Sequence, residues 1–84
     1  ENANLSNTNM RDVTMDAAIL NGANLSNSIL EGAFAYNAKF ENVLIDGADF
    51  TDVLIANDVK KKLCIIADGT NSVTNKKTSE TLDC

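Results

Sequence analysis

Apolar residues recur along most of this chain at every fifth position. Starting at Leu5, the series runs Met10, Met15, Leu20, Leu25, Leu30, Ala35, Phe40, Ile45, Phe50 and Ile55. Two places before each stands a small residue: Ala3, Thr8, Val13, Ala18, Ala23, Ser28, Ala33, Ala38, Val43, Ala48 and Val53. Two places after each stands Gly, Asn or Asp, with Ala17 the one exception among eleven. Those three residue types best tolerate positive φ or bond locally to the backbone. A helix cannot use such a pattern, because five residues turn it through ~500° and the large side chains would wander round its surface. Extended backbone can, since the small and large positions lie two apart and point to one side. The pattern therefore predicts a coil with short flat sides and a corner in every pentad. Ala3-Asn4-Leu5-Ser6-Asn7 recurs letter for letter as Ala23-Asn24-Leu25-Ser26-Asn27. That spacing of twenty predicts four sides to a coil. Small and large inward residues alternate, as a narrow interior requires.

The A-(N/D)-L-x-x pentad, in register from Ala3 to Asn57, resembles the pentapeptide-repeat family. The resemblance implies an all-β solenoid over residues 1–57, a right-handed quadrilateral β-helix with four pentads to a coil. Eleven pentads then make 2.75 coils. Ala35 is undersized for its inward position, and Met15 and Ile55 are expected to lean into the gap. Several second positions, usually polar in the family, are apolar here. Phe34 should stack beneath Leu54 on one side, with Ile29 and Leu44 on the two adjacent sides. These four form a candidate protein-binding surface. The alternative is plain packing along each side, since scattered exposed apolar residues are normal.

The period ends before residues 58–84. Asp58 to Asp68 reads as a short amphipathic helix with Val59, Leu63 and Ile66 on one face, Asp58 as cap or first-turn acid, and Gly69 as the stop. A polar loop over 70–77 and a second helical turn capped by Thr78, with Glu80 near its start, are expected to follow. A stack of coils ends in open backbone edges, which invite aggregation unless covered. The tail is thus expected to be a helical C-terminal cap, with Leu63, Ile66 and Leu82 over the Ile45, Phe50 and Ile55 end. No comparable cap is visible before Ala3, so end-to-end self-association through the first coil is the matching expectation there.

The tail also resembles that of one subgroup, the lumenal pentapeptide-repeat proteins of cyanobacteria and chloroplast thylakoids, in which two cysteines bracket a capping helix pair. Cys64 and Cys84 match those positions. A disulfide pinning the cap is the preferred reading. Two unpaired thiols remain an alternative, and a zinc site is disfavoured, because two thiolates without His would need carboxylates to complete it. The resemblance implies an oxidising, extracytoplasmic compartment, the thylakoid lumen or a periplasm.

Composition narrows the chemistry. The chain has 84 residues and no His, which removes the usual general base and the commonest metal ligand. No nucleophile–base pair, phosphate loop or metal cluster is visible, so no enzyme activity, cofactor or metal is expected. Asn4-Leu5-Ser6 and Asn24-Leu25-Ser26 fit a glycosylation sequon but coincide with the repeat, and Lys60-Lys61-Lys62 reads as a solvated helix face. No apolar run approaches the ~20 residues of a membrane span, so no membrane insertion is expected. Residues 1–25 carry no signal-peptide pattern, and a start at Glu1 reads as a processed or excised chain.

Charge bears on partners. Residues 1–57 carry eight acids against Arg11 and Lys39, and residues 58–84 carry four acids against five lysines. The net charge of −5 disfavours a nucleic-acid partner. The reverse idea, a DNA mimic inhibiting gyrase or another nucleic-acid-binding protein, is the alternative reading. Coils stacked at ~4.8 Å would rise only ~13 Å, about four base pairs. Asp16, Glu31, Glu41 and Asp46 also fall on four different sides. The preferred expectation is a non-enzymatic scaffold or protein-binding module whose partner is a protein the sequence does not name.

Overall fold

A computed structural model describes residues 2–84. Its backbone winds as a four-sided coil. Parallel bridges join Asn4 to Asn24 and Asn24 to Leu44, Asn9 to Ile29 and Ile29 to Asp49, Thr14 to Phe34 and Phe34 to Leu54, and Ile19 to Lys39. Each bridge spans twenty residues, so each pentad is one side of a coil. The first wall holds pentads 3–7, 23–27 and 43–47. The second holds 8–12, 28–32 and 48–52. The third holds 13–17, 33–37 and 53–57. The fourth holds 18–22 and 38–42.

Each side is too short for a long strand, and its hydrogen bonds run vertically to the next coil. The Leu25 amide donates to the Leu44 carbonyl at 2.7 Å, and the Asn24 amide donates down to Ala3 at 2.9 Å. The polar second position has a local role as well. The side-chain oxygens of Asn4, Asn9, Asn24 and Asp49 each accept the amide two residues on, at 2.9–3.2 Å. This Asx arrangement turns the wall toward its corner.

The corners follow the residue types that set them. Asn7, Asp12, Ala17, Gly22, Asn27, Gly32, Asn42, Gly47 and Asp52 all have positive φ, and Asn37 does not. Ala17 stands at φ 65° with no glycine or amide to ease it, a conformation that costs an L-residue ~1–2 kcal/mol.

Inward side chains stack through the tube. Leu25, Leu30 and Ala35 of the second coil are buried, as are Ile45 and Phe50 above them. Full burial of a side chain such as Leu or Phe is worth ~1.5–3 kcal/mol, so these columns hold the coils together. Met15, Ala35 and Ile55 are all buried in the third wall's column. At the first coil Leu5, Met10 and Leu20 are only partly buried against the core.

The tail opens with helix α1, Asn57–Ile66, one residue before the expected start, with Asp58 in its first turn and Ala56 at the N-cap. Leu63 is buried and Val59, Cys64 and Ala67 pack beside it. Ile66 does not join the plug and is 44% exposed. It falls to the side of the face defined by Val59, Leu63 and Ala67, in the last turn before the chain leaves in extended conformation. Helix α2, Thr78–Thr81, has Lys77 at its N-cap and Thr78 as its first, buried residue. Leu82, just after it, completes the plug. Cys64 and Cys84 form a disulfide between the end of α1 and the residue after Asp83, Cα atoms 5.5 Å apart.

The tail also resumes the coil's own hydrogen bonding. The Gly47 amide donates to the Asp68 carbonyl at 2.8 Å, as the Asn27 amide donates to Asp46 one coil below. The Phe50 amide donates to the Thr81 hydroxyl at 3.0 Å. These amides would otherwise be orphaned at the end of the stack.

Candidate protein-binding walls

Of the four walls, the second is the one the chain itself covers. The loop after Gly69 folds down over the corner between the first and second walls. Its Asn71 is wholly buried, donating from Nδ2 to the carbonyls of Ser28 at 3.1 Å and Gly47 at 2.9 Å. Its Oδ1 accepts the amides of Val73 and Thr74, both at 2.9 Å. The Ser72 amide donates to Asn27 Oδ1 at 2.8 Å. The loop closes on itself through an antiparallel bridge between Thr70 and Lys77.

This strap changes the expected surface. Ile29 is buried, at 4% exposure, between Asn9 and Asp49 on the second wall, so it is not available for docking. Nothing in its own pentad marks it as covered, because the covering residues lie some forty places on. Leu44 is exposed, but not beside Phe34. Ten residues separate them, which is two sides, so Leu44 stands on the opposite wall, above Asn24.

The second wall also holds a buried acid. Asp49 is 1% exposed. Desolvation pushes its carboxyl up. Hydrogen bonds from the Thr51 hydroxyl and amide, the nearby Thr74 hydroxyl and the positive charge of Lys76 outweigh that, and the group sits below its ordinary value of 3.8. Oδ1 accepts Thr51 Oγ1 at 2.5 Å, whereas Oδ2 has no partner in good hydrogen-bond geometry among the described residues. The arrangement ties the wall electrostatically to the strap. It offers no approach for a substrate.

The fourth wall carries α1 over its upper end, where Lys62 pairs with Glu41 at 3.4 Å. The first and third walls remain open, and so does the lower part of the fourth, where Ile19 is exposed. On the third, Phe34 stacks beneath Leu54 as expected, and above Thr14. Sequence reading missed Tyr36. Its signal is parity: positions two apart in extended backbone face one side, so Tyr36 points out with Phe34. Their rings meet edge to face at 5.4 Å and 79°. Beneath Tyr36 stands Asp16, whose carboxylate accepts both the amide and Nδ2 of Asn37, at 3.1 and 3.0 Å. Among the described residues no three His, Cys, Asp or Glu side chains are grouped to hold a metal ion, and no helix is long and apolar enough to cross a membrane.

The family described as Pentapeptide repeats (8 copies) matches residues 1–32 and 18–54, which take in most of the pentads of the four walls. The chain belongs to the pentapeptide-repeat family. Among solved structures this pentapeptide-repeat chain is similar to a pentapeptide-repeat protein from the thylakoid lumen of Arabidopsis thaliana, with a TM-score of 0.94 and 41% identity. The likeness covers 98% of this chain and 57% of that one, so the chain spans little more than half its neighbour's length. No curated protein matches it. Membership and the structural likeness together imply a right-handed β-helix.

Proposed function

We propose that this pentapeptide-repeat chain is a non-enzymatic scaffold that binds a protein partner through an open wall, in an oxidising extracytoplasmic compartment such as the thylakoid lumen. The observation that carries this reading is the third wall. A rigid ladder of hydrogen-bonded sides presents Phe34, Tyr36 and Leu54 to solvent in fixed positions, and none of them contributes to the interior. Stacked sides hold such groups without the entropy cost that ordering a loop would carry on binding. The compartment is supported by the Cys64–Cys84 disulfide and by the lumenal origin of the similar Arabidopsis protein. Absence of catalysis is supported by a sequence with no His and no nucleophile–base pair.

The test is photo-crosslinking in thylakoid lumen extract. A photoreactive amino acid replaces Tyr36 in one variant and Leu44 in another, and captured proteins are identified by mass spectrometry. The scaffold reading expects one protein captured repeatedly from at least one position. No capture from either position would contradict it, as would a hydrolase or transferase activity lost on substitution of a single carboxylate.

A further inference from the structure

We infer that the third wall accepts a cationic, apolar segment of its partner protein, a specification that rests on the binding-module reading above. Charge selects the partner. The wall's apolar centre is Phe34, Tyr36 and Leu54, each between 38% and 48% exposed. Every charged side chain on its three pentads and on the corner leading into them is acidic: Asp16 beneath Tyr36, and Asp12 and Asp52 at the corner. All three acids are exposed. Gly32 separates Asp12 from Asp52 in that corner column, and the Asp12 carboxylate lies over Gly32 where a side chain would stand.

The occupants compete on electrostatics. A second copy packed wall to wall would set one acidic surface, with Asp12, Asp16 and Asp52, against another, and like charges so placed are costly. An anionic lipid surface or a nucleic acid meets the same repulsion. A lysine or arginine flanked by an apolar side chain gains on both counts. Its charge pairs with Asp16, which Asn37 already holds in place. Its cation has the exposed Phe34–Tyr36 rings within reach. The apolar neighbour covers Leu54. The opposite wall offers Leu44 and Asp46 but no aromatic pair, so it provides an internal control.

Tyr36 makes the test direct, because the chain has one Tyr and no Trp and its emission reports this wall alone. The probes are a short leucine–lysine peptide, its leucine–glutamate counterpart, and anionic phospholipid vesicles, at one fixed salt concentration. The expected result is that the leucine–lysine peptide changes Tyr36 emission and binds at least ~10-fold more tightly than the glutamate peptide. Phe34→Ser should weaken that binding by about tenfold and Leu44→Ser by less than about twofold. Should Phe34→Ser fail to fold, the double variant Asp16→Asn, Asp52→Asn must abolish the preference for lysine over glutamate, read by calorimetry. Equal binding of the two peptides would overturn the inference. So would equal losses in Phe34→Ser and Leu44→Ser, tighter binding to vesicles than to peptide, or a dimer in sedimentation that Phe34→Ser dissolves. If lumen proteins still crosslink to a chain carrying Phe34→Ser, the scaffold reading stands and the assignment to this wall falls.

Discussion

Gly47 and Gly69 meet backbone to backbone where the coil hands over to the tail. A Cβ on Gly69 would lie 3.0 Å from the Gly47 nitrogen, and one on Gly47 would lie 3.2 Å from the Thr70 carbonyl oxygen. Both residues have positive φ, 75° and 79°. Gly69 acts as one more corner stacked on the Gly47 corner, reached after twenty-two residues where the repeat takes twenty. The cap thus continues the stack's geometry as well as plugging its end.

Replacing either glycine with alanine forces a left-handed alanine and a backbone clash together. Gly69→Ala and Gly47→Ala should each cost ~2–3 kcal/mol, lowering the melting temperature by roughly 10 °C or more. Ala17→Gly should act oppositely. It relieves ~1–2 kcal/mol of left-handed strain and returns ~0.5–1 kcal/mol through the looser unfolded chain, for a net gain of no more than about 1.5 kcal/mol. Thermal unfolding by circular dichroism checks all three, and a neutral Gly69→Ala would contradict the close approach.

The disulfide fastens the plug across a separation of twenty residues. In the chain-entropy model, opening such a loop costs ~3 kcal/mol, a large share of the stability of a domain this small. Adding reductant should therefore lower the melting temperature substantially. The Cys64→Ser, Cys84→Ser double variant should start from the lower value and ignore reductant. Reductant-independent melting of the unaltered chain would show that the bond does not hold the cap.

Asp49 makes the strap acid-sensitive. Its carboxyl sits lower in the folded chain than its ordinary value of 3.8, so the folded state favours the ionised form. Its contribution is full above about pH 4 and is lost as pH falls through the depressed folded value. Protection factors at Val73 and Thr74, measured against the intrinsic exchange rate at each pH, should stay high at neutral pH and fall below that range. Asp49→Asn should weaken protection at neutral pH and remove the acid dependence. A carbon-detected titration placing the Asp49 carboxyl above the ordinary carboxylate range would contradict the assignment.

What the sequence shows of this fold is what local periodicity governs. The Leu25 and Phe50 columns, the glycine corners and the four-sided register all follow from side-chain parity within extended pentads. Ile29 and Asp49 were illegible for the opposite reason. Both look like ordinary outward second positions, and only the strap, distant in sequence, buries them. Ile66 shows the limit of helical spacing in a short helix, where the path of the chain after Ile66 decides which side faces the plug. Leu44 needed no structure, since counting ten residues from Phe34 puts it on the far wall. Tyr36 was equally legible from its parity with Phe34.

The twenty-residue register underlies the walls, the strap and the docking face alike. Its most direct measurement is through-hydrogen-bond coupling by NMR on the isotopically labelled chain. Couplings are predicted from the Leu25 amide to the Leu44 carbonyl and from the Ala35 amide to the Leu54 carbonyl, pairs separated by 2.7 and 2.8 Å. Couplings from either amide to a carbonyl four residues earlier, or to one on a neighbouring wall, would contradict the four-sided coil.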